Sequence, residues 1–203
     1  MKKIITLIGI ALISTLSLQA QKVTLTSGEA SALKGGAKSM LVRYDYSTMG
    51  VGEFSNEKDY VDQKVAELNE KENRKGDKWL KAWEGSRKTK YQPKFEELFN
   101  KVGEKKNISI SKNSKKPKYI LVVKTVFTEP GFNIGIMKKP SLVSFEFVVK
   151  DAVDTNNVVA EFALEKVKGA QAAGFDYDPS SRIAESYAKA GKIFGKYLAK
   201  NIK

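Results

Sequence analysis

The chain of 203 residues contains neither cysteine nor histidine. The thiolate and imidazole ligands of zinc, copper and haem sites are therefore missing, and so are the Ser-His-Asp and Cys-His arrangements of nucleophilic enzymes. No disulfide can form, so a packed core must stabilise the fold. A metal site would have to be an all-oxygen calcium or magnesium site. We predict no cofactor, no metal site and no catalytic residues.

Long apolar runs are also scarce, and the one that exists is at the amino terminus. Two lysines precede an almost unbroken apolar run over 4–16, and Ala20 provides a small residue before Gln21. This layout is typical of a secretory signal peptide, here residues 1–20 with the cut after Ala20. The run is shorter than the roughly 20 residues that span a bilayer, which favours a cleaved signal over an uncleaved anchor. We expect a periplasmic or secreted protein that does not span the membrane after cleavage and, without a cysteine, is not a lipoprotein.

Positive charge is concentrated in one stretch. The net charge is +13, and residues 74–118 hold 15 of the 36 Lys and Arg residues but only 5 of the 23 acidic ones. Such a field can attract anionic glycan or lipid head groups, or it can be a solvated lysine-rich helical face. Nucleic acid is a disfavoured partner because no nucleic-acid-binding module is recognisable. The candidate basic patch consists of Lys78, Trp79, Lys81, Trp83, Arg87, Lys88 and Lys90. Its two tryptophans can stack on a sugar ring, or they can be packing residues of a helix.

The hydrophobic pattern predicts a single α+β domain over 39–203, preceded by an amino-terminal arm, 21–38. A basic helical flank is expected over 56–103, beginning at the N-cap Asn56, and a sheet over 107–167. The sheet should be mostly antiparallel, with four or five strands, and packed on a carboxy-terminal helix over 179–200. Its strongest strand, 119–128, is apolar on both faces, which predicts a central strand covered on two sides. Strands 142–150 and 158–167 should form an antiparallel hairpin.

The carboxy-terminal helix carries a stripe of small residues, namely Ala184, Ala188, Gly191 and Gly195. Glycine inside a helix costs about 1 kcal/mol relative to alanine. We therefore predict that this face approaches a sheet or another helix closely, and that the helix packs on the domain's own sheet.

Two loops should leave the same end of the sheet, because the three longest strands alternate in direction. Both loops contain apolar residues where polar ones are usual, and this indicates a contact surface. Alternatively, these residues fold back over the core, or the first loop is itself a β-ribbon. The candidate binding residues are Phe132, Ile134, Ile136 and Met137 in the first loop and Phe175 and Tyr177 in the second.

The order of elements over 40–200 resembles a known envelope fold. The turn Asp154-Thr155-Asn156-Asn157-Val158 is similar to the Asp-x-x-Thr-Gly-x-Val turn of the amino-terminal domain of the Tol translocation protein and of the curli-secretion lipoprotein group, with Asn in place of Gly. The resemblance implies an α+β domain with a role in assembly or binding and carries over no catalytic residue. The chain departs from the group in having no lipid-accepting cysteine and in its longer helical region, 56–103.

From these observations we expect an exported, non-enzymatic envelope protein that binds a partner protein or acts in assembly. One alternative is a binder of anionic glycan or lipid head groups through the basic helices that carry the tryptophans. The other is a carboxylate-based hydrolase, which would require two acids about 5–10 Å apart in a pocket.

Overall fold

The computed structural model of the protein describes residues 21–169 and 178–202. The predicted signal peptide lies outside the described residues, as do Phe175 and Tyr177. The strands are β1 (Thr24–Gly28), β2 (Met40–Asp45), β3 (Gly50–Val51), β4 (Ile110–Ser111), β5 (Tyr119–Glu129), β6 (Phe132–Asn133), β7 (Lys138–Lys139), β8 (Ser141–Asp151) and β9 (Val158–Gly169). The helices are α1 (Glu57–Lys71), α2 (Lys75–Ser86), α3 (Gln92–Gly103) and α4 (Pro179–Asn201), and a π-helical turn (Arg87–Tyr91) joins α2 to α3.

The predicted α+β class is confirmed, with a multistranded sheet packed against the carboxy-terminal helix. The expected four or five strands are too few, and the sheet, although its long pairings are antiparallel, is mixed. The main sheet has seven strands in the order β1-β9-β8-β5-β2-β4, with β3 also pairing with β5. Three of its pairings, β2 with β4, β2 with β5 and β3 with β5, are parallel. The physical reason is the helical segment α1–α3, because it provides the long crossover that parallel neighbours require.

The predicted hairpin of the last two strands is confirmed. β8 and β9 pair antiparallel from Ser141 opposite Gly169 to Lys150 opposite Val158. The turn between them is closed by a hydrogen bond of 3.0 Å from the Asn157 amide to the Asp154 carbonyl. The Asp154 carboxylate also accepts a hydrogen bond of 3.1 Å from the Asn156 amide, and such side-chain bonding is what an Asp/Asn-rich turn favours.

The hydrophobic core lies between the sheet and helices α3 and α4. Its centre is Phe194, whose ring stacks on that of Phe147 with centroids 4.0 Å apart. Phe99 of α3 and Phe162 of β9 contact the same ring at 6.0 and 5.3 Å. Burying each such ring contributes about 1.5–3 kcal/mol. A packed aromatic core thus holds together a chain that has no disulfide.

The stripe of small residues on α4 allows close helix packing, as predicted. The neighbour of its glycines is α3. A Cβ at Gly191 would lie 2.3 Å from the Phe95 carbonyl oxygen, and one at Gly195 would lie 2.6 Å from Val102 Cγ2. Helix α4 therefore packs on the sheet with its large residues and on α3 with its small ones.

Strand β5 is central, but the prediction that both of its faces are covered is wrong. Leu121 and Val123 are fully buried, and Val123 lies opposite Phe147 on the face covered by α3 and α4. Ile120 and Val122 on the other face remain half-buried. Both are β-branched, and β-branched residues are enriched in strands whatever covers them, so an apolar outer face does not by itself indicate a second layer.

Candidate functional site

The two connections that carry the candidate binding residues begin at the same end of the sheet. Strand β5 ends at Glu129, opposite Leu142 near the beginning of β8. Ser141, the first residue of β8, lies opposite Gly169, the last residue of β9. The loop from 130 to 140 and the connection from β9 to α4 therefore leave the same end, as the alternating strand directions predicted.

The first of these loops is a small β-ribbon, which was one of the open alternatives. We call residues 130–140 the apolar hairpin. Its strands β6 and β7 pair antiparallel, with Phe132 opposite Lys139 and Asn133 opposite Lys138. Four apolar side chains stand out from it, with exposed fractions of 42 % for Phe132, 59 % for Ile134, 93 % for Ile136 and 55 % for Met137. They do not fold back over the core, and contiguous exposed apolar residues of this kind mark interaction sites.

The base of the apolar hairpin is fixed to α4. Arg182 is 2 % exposed, and its guanidinium donates to the carbonyls of Pro130 and Gly131 at 3.2 and 3.1 Å. The hydroxyl of Ser141 lies 2.8 Å from the Arg182 carbonyl and 2.9 Å from the Ser186 hydroxyl. Because these groups are buried and bonded to one another, the base of the hairpin is rigid and holds the exposed tip in place.

Charge in the hairpin is positive and confined to its second strand. Residues 130–140 contain two lysines and no acidic residue. Lys139 pairs with Glu129 at 2.7 Å, just outside the hairpin, while Lys138 is exposed. The turn is closed by a hydrogen bond of 3.0 Å from the Ile134 amide to the Met137 carbonyl. The hairpin thus combines an apolar tip with a cationic second strand.

A cluster of aromatic rings lies beside the hairpin. The ring of Tyr60 contacts those of Phe54, Trp79 and Trp83 with centroids 5.8, 5.9 and 5.5 Å apart, and the two indoles stack on each other at 5.5 Å. A shallow groove of about 550 Å³ separates Phe54 and Tyr60 from the base of the hairpin. Burial and the negative charges of Glu129 and Glu67 raise the pKa of the Tyr60 hydroxyl. It therefore stays a neutral hydrogen-bond donor at the edge of this groove.

Several members of the basic patch have partners within the protein. Trp83 is 7 % exposed, and its indole nitrogen donates to the Glu57 carboxylate. The same carboxylate binds Arg87, whose guanidinium lies 4.3 Å from the centre of the Tyr46 ring.

The remaining lysines of the patch divide into one bound and three exposed. Lys90 binds the Asp178 carboxylate at 2.7 Å. Burial opposes the ionisation of Asp178, but hydrogen bonds from Lys90 and Ser180 lower the pKa of its carboxyl below the usual value. Lys78, Lys81 and Lys88 are exposed, and Trp79 is half-buried in the aromatic cluster.

Through Tyr60, the structure connects the tryptophans of the basic patch to the groove at the base of the apolar hairpin, although sequence reasoning placed the two on separate surfaces. Sequence reasoning also missed Phe54 and Tyr60, which connect the two. An available signal was the apolar stripe of Val61, Val65 and Leu68 at helical spacing in α1, since Tyr60 directly precedes Val61.

Under this end of the sheet lies a buried group of tyrosines. Tyr91 and Tyr187 surround a void of about 10 Å³ together with Tyr46, Arg87 and other residues, which leaves room for about one water molecule. The hydroxyl of Tyr187 is hydrogen-bonded to that of Thr125 at 2.5 Å. These tyrosines pack beneath the site, and the void between them is too small to admit a ligand.

A larger groove lies elsewhere, at the end of α3. Its volume is about 750 Å³, and two carboxylates, Glu97 and Glu104, line it together with Lys38 and Lys101. Both carboxylates are exposed, and Glu97 pairs with Lys94 at 3.1 Å. A catalytic acid usually has its pKa raised by burial, and these groups lack that environment.

Within residues 21–169 and 178–202, no three acidic side chains come together as a metal site would require. Over the same ranges, no helix is both long enough and apolar enough to cross a membrane.

Comparison with known proteins adds little to these observations. No family model matches the chain, and no curated protein matches it. Among solved structures, a PelC dodecamer from Paraburkholderia phytofirmans has a chain similar to this one, with a TM-score of 0.32 and 16 % identity over 83 % of this chain and 95 % of that chain. A likeness at this level carries no argument about function, and the resemblance to the Tol and curli-secretion group stays a prediction.

Proposed function

We propose that the protein is an exported, non-enzymatic binding module that engages a partner in the cell envelope through the apolar hairpin. The observation that carries this proposal is the exposure of Phe132, Ile134, Ile136 and Met137 on a ribbon whose base is bonded to the buried Arg182. Export is supported by the charged start and apolar run of residues 1–20.

The rigid base is what distinguishes this hairpin from an ordinary surface loop. A flexible loop must be ordered when it binds, at an entropic cost that weakens binding, whereas a preorganised element avoids that cost. Arg182 and the ion pair between Glu129 and Lys139 hold the hairpin before any partner arrives. The groove beside Tyr60 offers aromatic rings and a phenolic hydroxyl for further contacts.

The hairpin is favoured over the basic patch as the binding surface. Trp83, Arg87 and Lys90 already have partners within the protein, namely Glu57 and Asp178. Groups engaged in internal hydrogen bonds lose those bonds when they turn to an external ligand, and the loss offsets the gain.

The test is a pull-down from solubilised envelope with the chain from Gln21 onward. The hairpin variant changes Phe132, Ile134, Ile136 and Met137 to serine. A matched control changes Val153 and Val158 to serine, since these exposed residues, 98 % and 40 %, lie at the opposite end of the sheet. We expect wild type and control to capture the same partner and the hairpin variant to lose it. A hairpin variant with native circular dichroism that still captures the partner would contradict the proposal.

A further inference from the structure

We infer that the partner surface of the apolar hairpin is an anionic lipid bilayer. This inference rests on the proposed function, because it specifies what the same hairpin engages. In the bound state the tip side chains Ile134, Ile136 and Met137 enter the boundary between head groups and acyl chains. The lysines near the base remain among the head groups.

The hairpin has apolar residues at its tip and lysines behind them, and this arrangement matches such an interface. Ile136 is 93 % exposed at the tip, and the next residues along the chain are Met137, Lys138 and Lys139. Apolar side chains that enter the acyl boundary next to lysines that meet the phosphates are typical of interfacial binding. The long apolar stems of the lysines can lie along the apolar part of the surface while their ammonium groups stay in water.

Charge around the base of the hairpin strengthens the match. Lys168 is exposed opposite Leu142 at the beginning of β8, and Lys189 donates to its carbonyl at 2.7 Å. Among the described residues that line the groove at the base, the acidic ones are Glu129, which pairs with Lys139, and Glu53. Lys138 and Lys168 are both exposed and available to lipid phosphates. Each lysine close to an anionic leaflet strengthens binding about fivefold.

The shape of the exposed surface also suits a bilayer. Its apolar part is a tip of four side chains, and Ile136 at its end is 93 % exposed. A narrow tip does suffice for a bilayer, because the lipid surrounds each inserted side chain on every side. A second copy of the chain is a competing occupant, and the experiment below detects it.

The experiment uses the chain from Gln21, since all of the described structure lies within residues 21–202. The protein has no cysteine, so Ile136→Cys creates a single attachment point for an environment-sensitive fluorophore such as NBD. Val153→Cys is the matched control at the opposite end of the sheet, and it is similarly exposed, at 98 %. The vesicles are phosphatidylcholine alone, or an equimolar mixture of phosphatidylcholine and phosphatidylglycerol.

With the mixed vesicles we expect a blue shift and a gain of fluorescence at position 136 and no change at position 153. With unlabelled protein, the double change Lys138→Gln and Lys168→Gln should weaken binding to these vesicles, measured by co-sedimentation, roughly 25-fold, because two lysines are lost.

Three results would overturn the lipid inference. The first is a probe at position 136 that does not respond to mixed vesicles, and the second is a probe at position 153 that responds equally. The third is a response that depends on protein concentration without vesicles, which would assign the tip to a second copy. If vesicles are not bound but the pull-down still loses a partner with the serine variant, the hairpin is a binding surface and only its lipid partner is refuted. If neither assay depends on the hairpin, the proposed function fails as well.

Discussion

Tyr91 and Tyr187 stack on each other with ring centroids 5.2 Å apart, yet their hydroxyls have unlike surroundings. The Tyr187 hydroxyl is hydrogen-bonded to that of Thr125. The buried hydroxyl of Tyr91 has no hydrogen-bond partner among the described residues. The Ser86 side chain lies near it and partly offsets the effect of burial on its pKa, but the Ser86 hydroxyl donates its proton to the Ala82 carbonyl.

Removing the two hydroxyls should therefore affect stability differently. Tyr91→Phe should leave the free energy of unfolding unchanged or raise it by about 1 kcal/mol, because an unpaired buried hydroxyl costs about 1–3 kcal/mol. Tyr187→Phe should lower it by about 1–2 kcal/mol, because Thr125 then loses its partner. Urea unfolding of the two variants measures the difference, and the reverse order would contradict the assignment.

The buried tyrosines also make the fold sensitive to alkaline pH. Burial raises the pKa of Tyr44, Tyr91 and Tyr187 above the usual value near 10. Above about pH 10 the unfolded chain releases protons that the folded chain retains, so the unfolding free energy falls as pH rises. Each tyrosine contributes up to about 1.4 kcal/mol per pH unit, and its stabilising effect is complete below about pH 10.

Urea midpoints measured from about pH 8 to about pH 11 test this dependence. The slope above about pH 10 should be shallower in Tyr91→Phe than in wild type, since one titrating group is removed. A wild-type midpoint that stays constant through this range would show that these tyrosines ionise as freely in the folded protein as in the unfolded chain.

The glycines of α4 and α2 should respond differently to an added methyl group. Gly191→Ala should destabilise the protein by about 1–3 kcal/mol, because the new Cβ meets the Phe95 carbonyl. Gly85→Ala in α2 should stabilise it by about 0.5–1 kcal/mol, because no atom lies within 4 Å of the new Cβ and alanine favours the helix. Thermal unfolding compares them. Equal shifts would mean that the close contact of α3 and α4 does not exist in solution.

Loss of the Arg182 side chain should loosen the apolar hairpin. Arg182→Met leaves the carbonyls of Pro130 and Gly131 without these donors, at a cost of about 1–3 kcal/mol. Amide exchange in residues 131–139 should speed up, as followed by mass spectrometry. Lys189→Met is the matched control on the same helix, because its bond to the Lys168 carbonyl is exposed and contributes little. Unchanged exchange in the Arg182 variant would show that the base is held by other contacts.

The local pattern of apolar and capping residues was sufficient to predict the principal helices and strands. Apolar alternation places β8 and β9 correctly, and Asn56 caps α1 through a hydrogen bond of 3.0 Å from the Asp59 amide. The parallel pairing was missed because it joins residues such as Leu41 and Ile120, which are far apart in the chain. Periodicity reports which face of a strand is buried but not which strand lies beside it.

The candidate site was predictable in part for a similar reason. Apolar residues in a loop without an obvious core partner are visible in the sequence, and Ile136 is indeed exposed. Whether a cation is available to a ligand depends on distant partners. Arg87 binds Glu57, 30 residues earlier, and Lys90 binds Asp178, 88 residues later. No spacing rule reveals such pairs.

The position of β1 affects how the chain folds. Thr24 pairs with Ala163, so the first strand can join the sheet only after the last strand has formed. Contacts between such distant residues slow folding. Until they form, the outer edge of β9 presents unpaired amides and carbonyls to other chains. Residues 24–28 therefore cover the edge of β9 late in folding and limit edge-to-edge aggregation. A fragment that lacks them should aggregate although it retains the core around Phe194.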